Sequence, residues 1–226
     1  MFIKLMKKEP IERTNKRKRT NWTLDEGKYL NLNEIKKLRK ACNGIANSVL
    51  KDGKVVPVRN WFMVELGLNT GLRVSEMTNL KVSDLLIGYG RSSLIVQNGK
   101  GNKKRVVLIT SSFKRACLWY LHWKRRKGQR IDEQAYLLTD RNSNKLTTRA
   151  LQKDFKKCLA KAGLSNHYSI HCLRHTYGSH LYEASNHNLR LVQEQLGHSS
   201  VRVTEVYASL MNKEAKESIE RLYKRS

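Results

Sequence analysis

The chain has 226 residues, with 39% hydrophobic and 28% charged positions, enough to bury a core without staples, since domains of about 150 residues already bury roughly two-thirds of their chain surface. Forty-five Lys and Arg face nineteen Asp and Glu, giving a net charge of +26. That imbalance predicts a polyanion partner, with counterion release from nucleic-acid phosphates as the driving term; no apolar run spans a bilayer and no signal-peptide pattern is present, so a membrane partner is not expected. The four cysteines (Cys42, Cys117, Cys158, Cys172) form no CxxC pair and sit among apolar neighbours, which reads as small buried hydrophobes in a reducing compartment rather than a zinc or disulfide framework.

Residues 1–28 read as a basic, mobile arm, with Lys16, Arg17, Lys18 and Arg19 as its densest cluster and candidate phosphate contacts. Order is expected from Leu30. Asn31 and Glu34 have capping-box spacing, and Ile35, Leu38, Ala41, Cys42 and Ile45 follow at helical intervals. Lys51–Val58, with Gly53 and Pro57, is expected as a connection, and Arg59–Leu68 as a buried helix. Asn69-Thr70-Gly71 reads as a helix stop, and Arg73 opens a short helix to about Leu80.

Ser93–Gln97 and Arg105–Ile109 have strand character around a glycine-rich connector, which predicts a β-hairpin whose tip carries Lys100, Lys103, Lys104 and Arg105. The last three are candidate DNA contacts. A helix capped by Ser111 or Ser112 runs to Lys124-Arg-Arg-Lys-Gly128, and Tyr136–Leu138 is expected as a third strand. Thr147 or Thr148 begins a helix closed by Gly163. Helices are expected over 170–184, 188–196, 201–209 and 212–223. Because the strands cluster and no repeated βαβ pattern appears, the class is α+β: a mostly helical domain over 29–226 with a small antiparallel sheet.

Cutting a DNA strand without metal needs a nucleophile, cations that neutralise the charge gained at phosphorus, and an acid for the leaving oxygen. Tyrosine can form a covalent ester, and arginine grips phosphate oxygens with a planar fork that stays charged. The sequence holds TGLRVSE around Arg73, HCLRH with His171 and Arg174 three apart, LGHSS around His198, EVYASL around Tyr207, and Lys100 in the GKGNK connector. Taken singly each is ordinary: Tyr207 is one tyrosine of nine, and an isolated histidine in an apolar helix is usually a core residue. His171 and His175 have the spacing of a zinc pair but lack the HExxH glutamate, so no metal is expected. His122, His167, His175, His180 and His187 read as structural or exposed.

Together, in this order and at these spacings from about Leu30 onward, the motifs resemble the tyrosine recombinase (phage integrase) family. The resemblance implies that Tyr207 is a nucleophile forming a 3′-phosphotyrosyl link, and that Arg73 and Arg174 grip the non-bridging oxygens. It implies that Lys100 protonates the 5′-hydroxyl, with Lys103 as an alternative on the same hairpin. His171 would handle the tyrosine proton, His198 would steady the scissile phosphate, and Glu76 would support the framework. It further implies double-stranded DNA as partner, no cofactor, a monomer that assembles as a homotetramer on DNA, accessory DNA-bending proteins, and a cytoplasmic, DNA-associated location in a prokaryote or its mobile elements. The motifs begin too early to leave room for the separate core-binding domain of most members, so the expectation is a single-domain form resembling fimbrial-type invertases, or a truncated integrase. A type IB topoisomerase uses a similar residue set, and a regulator that has lost catalysis is a non-enzymatic alternative. The segment 212–223 would pack on its own domain or on a neighbouring protomer.

Overall fold

The computed structural model describes residues 28–48, 54–97 and 104–197, and the expectations for the arm, Lys100, Lys103, His198, Tyr207 and the segments 201–209 and 212–223 lie outside these residues. Helix α1 (Leu32–Ser48) starts at the expected capping box: the Asn31 side chain accepts from the N–H groups of Asn33 and Glu34, each at 3.0 Å, and Glu34 accepts from the Asn31 N–H at 3.0 Å. Its inner face is Ile35, Leu38, Cys42 and Ala46. Helix α2 (Val55–Thr70) starts four residues earlier than its apolar run suggests. Pro57 does not block it, because a proline in the first turn lacks an N–H that would have no helical acceptor anyway.

Helix α2 is the central rod, contacting α4 (Ser111–Arg126), α5 (Thr148–Lys161) and α6 (His171–Ala184) as well as α1. Its uniform apolarity follows from being covered on all sides. A Cβ on Gly67 would lie 2.6 Å from Leu173 Cδ1, so glycine here sets how closely α2 and α6 approach. Phe62 stacks on Tyr120 with ring centroids 3.9 Å apart, joining α2 to α4.

After α3 (Val74–Asn79) and a single 3-10 turn (Val82–Asp84) comes a three-stranded antiparallel sheet in the order β1 (Leu85–Leu86), β2 (Ser93–Val96), β3 (Arg105–Leu108). The hairpin is as expected, with Ser93 opposite Leu108 and Val96 opposite Arg105. The third strand is not Tyr136–Leu138. Tyr136 makes one isolated bridge with Lys81, and the two-residue β1, too short to show alternation, pairs with β2 instead. Thr110, not Ser111 or Ser112, caps α4, accepting from the Phe113 N–H at 3.2 Å. Thr147 caps α5, and α7 (Leu189–Leu196) is capped by Asn188 and closed by Gly197 at φ 65°. No helix among the described residues is long and apolar enough to cross a membrane. The fold is α+β, mostly helical with one small antiparallel sheet.

Two buried cations, Lys124 and Arg59, meet at the 136–140 segment. Lys124, read from the sequence as part of a basic helix end, is fully buried and donates to the carbonyls of Tyr136 and Leu137 and to Thr139 Oγ1, the last at 2.9 Å. Burial holds its pKa down at about 8. Arg59 pairs with Asp154 of α5 and also donates to the Thr139 carbonyl. Thr139 thus carries both cations, and the 136–140 segment is fixed through them. Removing the Asp154 carboxylate leaves the Arg59 guanidinium buried without its charge partner. Asp154→Ala is expected to lower stability by about 3–5 kcal/mol in urea unfolding, while the more exposed Lys157, 3.0 Å from the same carboxylate, should cost under about 1 kcal/mol when changed to Ala.

Candidate active site

The site is built around one buried carboxylate. Glu76, with 2% of its side chain exposed, receives Arg105 through both terminal nitrogens at 2.8 and 2.9 Å, and Arg73 through Nη1 at 2.8 Å. Its second oxygen also accepts the Arg73 backbone N–H at 2.8 Å, closing the first turn of α3. Burial by itself would raise the Glu76 pKa. The Arg105 hydrogen bonds and charge, then the Arg73 N–H and guanidinium, override it and hold the carboxyl at about 2 against an ordinary 4.5. Arg73 keeps a quarter of its side chain exposed.

Arg105 corrects an expectation. Read as a DNA contact on the hairpin tip, it instead opens β3 with its side chain turned inward, 11% exposed, and spends both terminal nitrogens on Glu76. Its Nε donates to the Gln195 carbonyl at 3.3 Å. The strand geometry agrees: Val107 and Ile109 are buried and Val106 and Leu108 exposed, so residue 105 falls on the inner face. Lys104 remains exposed. Gln195, which no motif singled out, accepts the Leu108 N–H at 3.0 Å and the Tyr177 hydroxyl at 3.3 Å, so it ties α7 to β3 and to α6.

Arg174 is the second clamp. It is 5% exposed and donates through Nη1 to the Gly71 carbonyl at 2.6 Å and through Nη2 to the Leu196 carbonyl at 2.8 Å. These carbonyls end α2 and α7, just before Arg73 on one side and just before residue 198 on the other. Gly71 sits at φ 59°, and a Cβ there would also meet Tyr177 at 2.5 Å and Leu196 at 2.6 Å, so both backbone and space require glycine.

His171 opens α6, within electrostatic reach of both Arg174 and Arg73. Partial burial, then these two charges, holds its pKa below the ordinary 6.5. Beside it lies an open cavity of about 420 Å³ lined by Lys28, His167, Tyr168, Ser169, Cys172 and His175 as well as His171. His175 is pushed down to about 4, chiefly by burial and then by Arg174, His171 and Lys28. Both shifts favour the neutral imidazole. Among the described residues no three His, Cys, Asp or Glu come together as a metal site would require.

Of the sequence candidates, the structure brings Arg73, Glu76, His171 and Arg174 to one place. It turns Arg105 from the surface into their support. Because the Glu76 pKa is depressed in the folded state, its contribution is complete above about pH 4.5 and is lost as pH falls through about 2. The size at neutral pH is about 3 kcal/mol. Glu76→Gln is expected to lose stability by that order at pH 7 and to show a flatter acid limb below pH 4.5 in urea midpoints measured against pH. An acid limb identical to that of the parent would overturn the assignment.

The phage integrase family model matches residues 28–214. Tyrosine recombinase XerC of Proteus mirabilis is 36% identical over 167 residues, covering 74% of this chain and 52% of that protein. Tyrosine recombinase XerA of Pyrococcus furiosus is 33% identical over 174 residues, covering 74% of this chain and 57% of that protein. The chain thus spans about half the length of the curated relatives it matches. Among solved structures, a XerA recombinase superposes with a TM-score of 0.69 at 26% identity over 88% of this chain and 66% of that one. XerH site-specific recombinase, captured on a palindromic difH substrate in a post-cleavage complex, gives 0.68 at 25% identity over 85% of this chain and 52% of that one. With the TGLR, HCLR and hairpin elements folded into one site and the family match running through nearly all described residues, the chain belongs to the phage integrase family and carries a tyrosine recombinase catalytic domain.

Proposed function

We infer that this chain cleaves and rejoins DNA at specific sites through a 3′-phosphotyrosyl intermediate, with Tyr207 as nucleophile. The observation that carries this reading is the convergence of Arg73, Arg174 and His171, with both arginines held in place before any substrate arrives. Fixed cations around a phosphate are worth most where their orientation is set in advance, because nothing has to reorganise as charge builds at phosphorus. His171, neutral in this field, takes the Tyr207 proton as the phenolate oxygen attacks. The 5′-oxygen leaves with a proton from Lys100, His198 steadies the phosphate, and a 5′-hydroxyl from a second duplex reverses the step. The bond energy is kept in the tyrosyl ester, so the cycle consumes no nucleotide cofactor.

Double-stranded DNA is the proposed partner, supported by the net charge of +26 and by the DNA complex of XerH. Strand exchange between two sites takes four protomers in this scheme, with DNA-bending proteins as accessories and a cytoplasmic, DNA-associated location. Lys103 and Lys104 of the hairpin and Lys16, Arg17, Lys18 and Arg19 of the arm are proposed phosphate contacts.

The direct test is covalent trapping. Wild-type protein incubated with a randomised library of nicked suicide duplexes should give a detergent-resistant protein–DNA adduct, absent in Tyr207→Phe. Arg73→Ala should slow its formation by about 10²–10³-fold. Binding without adduct across the library would favour a non-catalytic DNA-binding protein, and relaxation of supercoiled DNA without recombinant products would favour a topoisomerase. Separately, deleting residues 1–20 should weaken duplex binding and flatten its salt dependence, by roughly 0.9 in the log–log slope for each phosphate the arm neutralises. An unchanged slope would remove the arm from the interface.

A further inference from the structure

Two of the four cysteines are neighbours. Cys42 lies on the inner face of α1 and Cys158 on α5, each 5% exposed, on helices that pack against each other. Both line an open-sided cavity of about 230 Å³ together with Ile45, Val56, Pro57 and Asn60, and the exposed Lys157 and Lys161 complete its wall. Buried cysteines packed in a core are inert because nothing reaches them; these two share a space that a small solute can enter.

We propose that Cys42 and Cys158 form an oxidant-sensitive dithiol, in which a peroxide entering the cavity beside Lys157 and Lys161 converts the pair into an intramolecular disulfide joining α1 to α5.

The two sulfurs have different parts to play. The neighbouring Cys158 thiol, with help from the Lys161 charge, holds the Cys42 pKa below its ordinary value despite burial and Glu65. The same contact pushes Cys158 up. Cys42 is therefore the attacking thiolate and Cys158 the resolving thiol. The Cys42 thiolate attacks one peroxide oxygen, breaking the O–O bond, and becomes a sulfenic acid while the other oxygen departs as water after protonation. Cys158 sulfur then attacks Cys42 sulfur, the S–O bond breaks, and the hydroxyl leaves as a second water with the Cys158 proton. Two thiols and one hydrogen peroxide give one disulfide and two waters. The other cysteines serve as internal controls: Cys117 and Cys172 are buried, and burial pushes each up to about 12.

The bridge would close a loop containing α2, α3, the sheet and α4, and so lock α1 to the α5 helix it already packs against. The dithiol chemistry stands apart from recombination and is tested without DNA. The full chain, folded and fully reduced, is treated with one equivalent of hydrogen peroxide, alkylated, digested and mapped by mass spectrometry. Two of the four thiols should disappear, with one linked peptide pair containing Cys42 and Cys158, restored by dithiothreitol. In Cys117→Ala and Cys172→Ala the same pair should form at the parental rate. Retention of all four thiols, or a bridge that involves Cys117, Cys172 or a second molecule, would overturn the proposal. In Cys158→Ala a dimedone-reactive sulfenic acid should accumulate on Cys42; the same acid appearing instead on Cys158 in Cys42→Ala would overturn the assigned roles.

Discussion

A single carboxylate holds the site together. Glu76 is almost wholly buried, yet in a chain of net charge +26 it stays ionised because two guanidiniums and a backbone N–H converge on it. Without that anion Arg73 and Arg105 would confront each other as like charges in a poorly solvated space. With it, Arg105 turns inward at the start of β3, and its Nε reaches the Gln195 carbonyl, so the hairpin, α3 and α7 share one anchor. The direction of Arg73, a quarter exposed and held by one nitrogen, is a consequence of this arrangement.

Arg174 performs the matching task with carbonyls in place of a carboxylate. Gly71 and Leu196 both end helices, where carbonyl groups lack intrahelical partners, and the guanidinium supplies their donors. The cost of burying this cation is offset by strong hydrogen bonds to oriented dipoles. One side chain thereby sets the spacing between the turn that carries Arg73 and the corner that leads to residue 198. Arg174 is then both a proposed phosphate ligand and the brace that fixes its neighbours, so loss of activity in an Arg174 variant would mix the two roles. Lysine in its place keeps a charge but lacks the planar fork to reach two carbonyls.

What was legible in the sequence was local. The Asn31–Glu34 box, the Gly71 stop, the hairpin around residues 98–103 and the Thr147 start each depend on contacts within a few residues, and the structure shows them as read where it describes them. The differences arise where distant residues decide. The segment 55–58 joins α2 because Pro57 falls in the first turn, where it costs no helical hydrogen bond, and Val58 is anchored in the core. β1 exists because β2 offers it a free edge, which two residues cannot announce. Lys124 and Arg105 look like surface cations in any local window. Their partners lie 12 to 15 residues away for Lys124 and 29 or 90 away for Arg105, beyond the range of periodicity. The four site residues were recognisable by resemblance, but nothing in the motifs revealed that Arg105 and Gln195 hold them.

The buried cations also bear on what the net charge means. Arg59, Lys124, Arg105 and Arg174 are occupied within the fold, by carboxylates or carbonyls, and contribute little directed field at the surface. Attraction to a phosphate backbone therefore rests on the exposed Lys and Arg, while the inner ones govern the local chemistry. That local field has a direct consequence for proton transfer. Burial, and then the same arginines proposed to bind phosphate, hold the His171 pKa down. A phosphodiester seated between Arg73 and Arg174 cancels part of that charge, and the proton affinity of His171 rises as it does so. In the proposed reaction, the phosphate that the arginines grip also offsets their charge at the base that must take the Tyr207 proton.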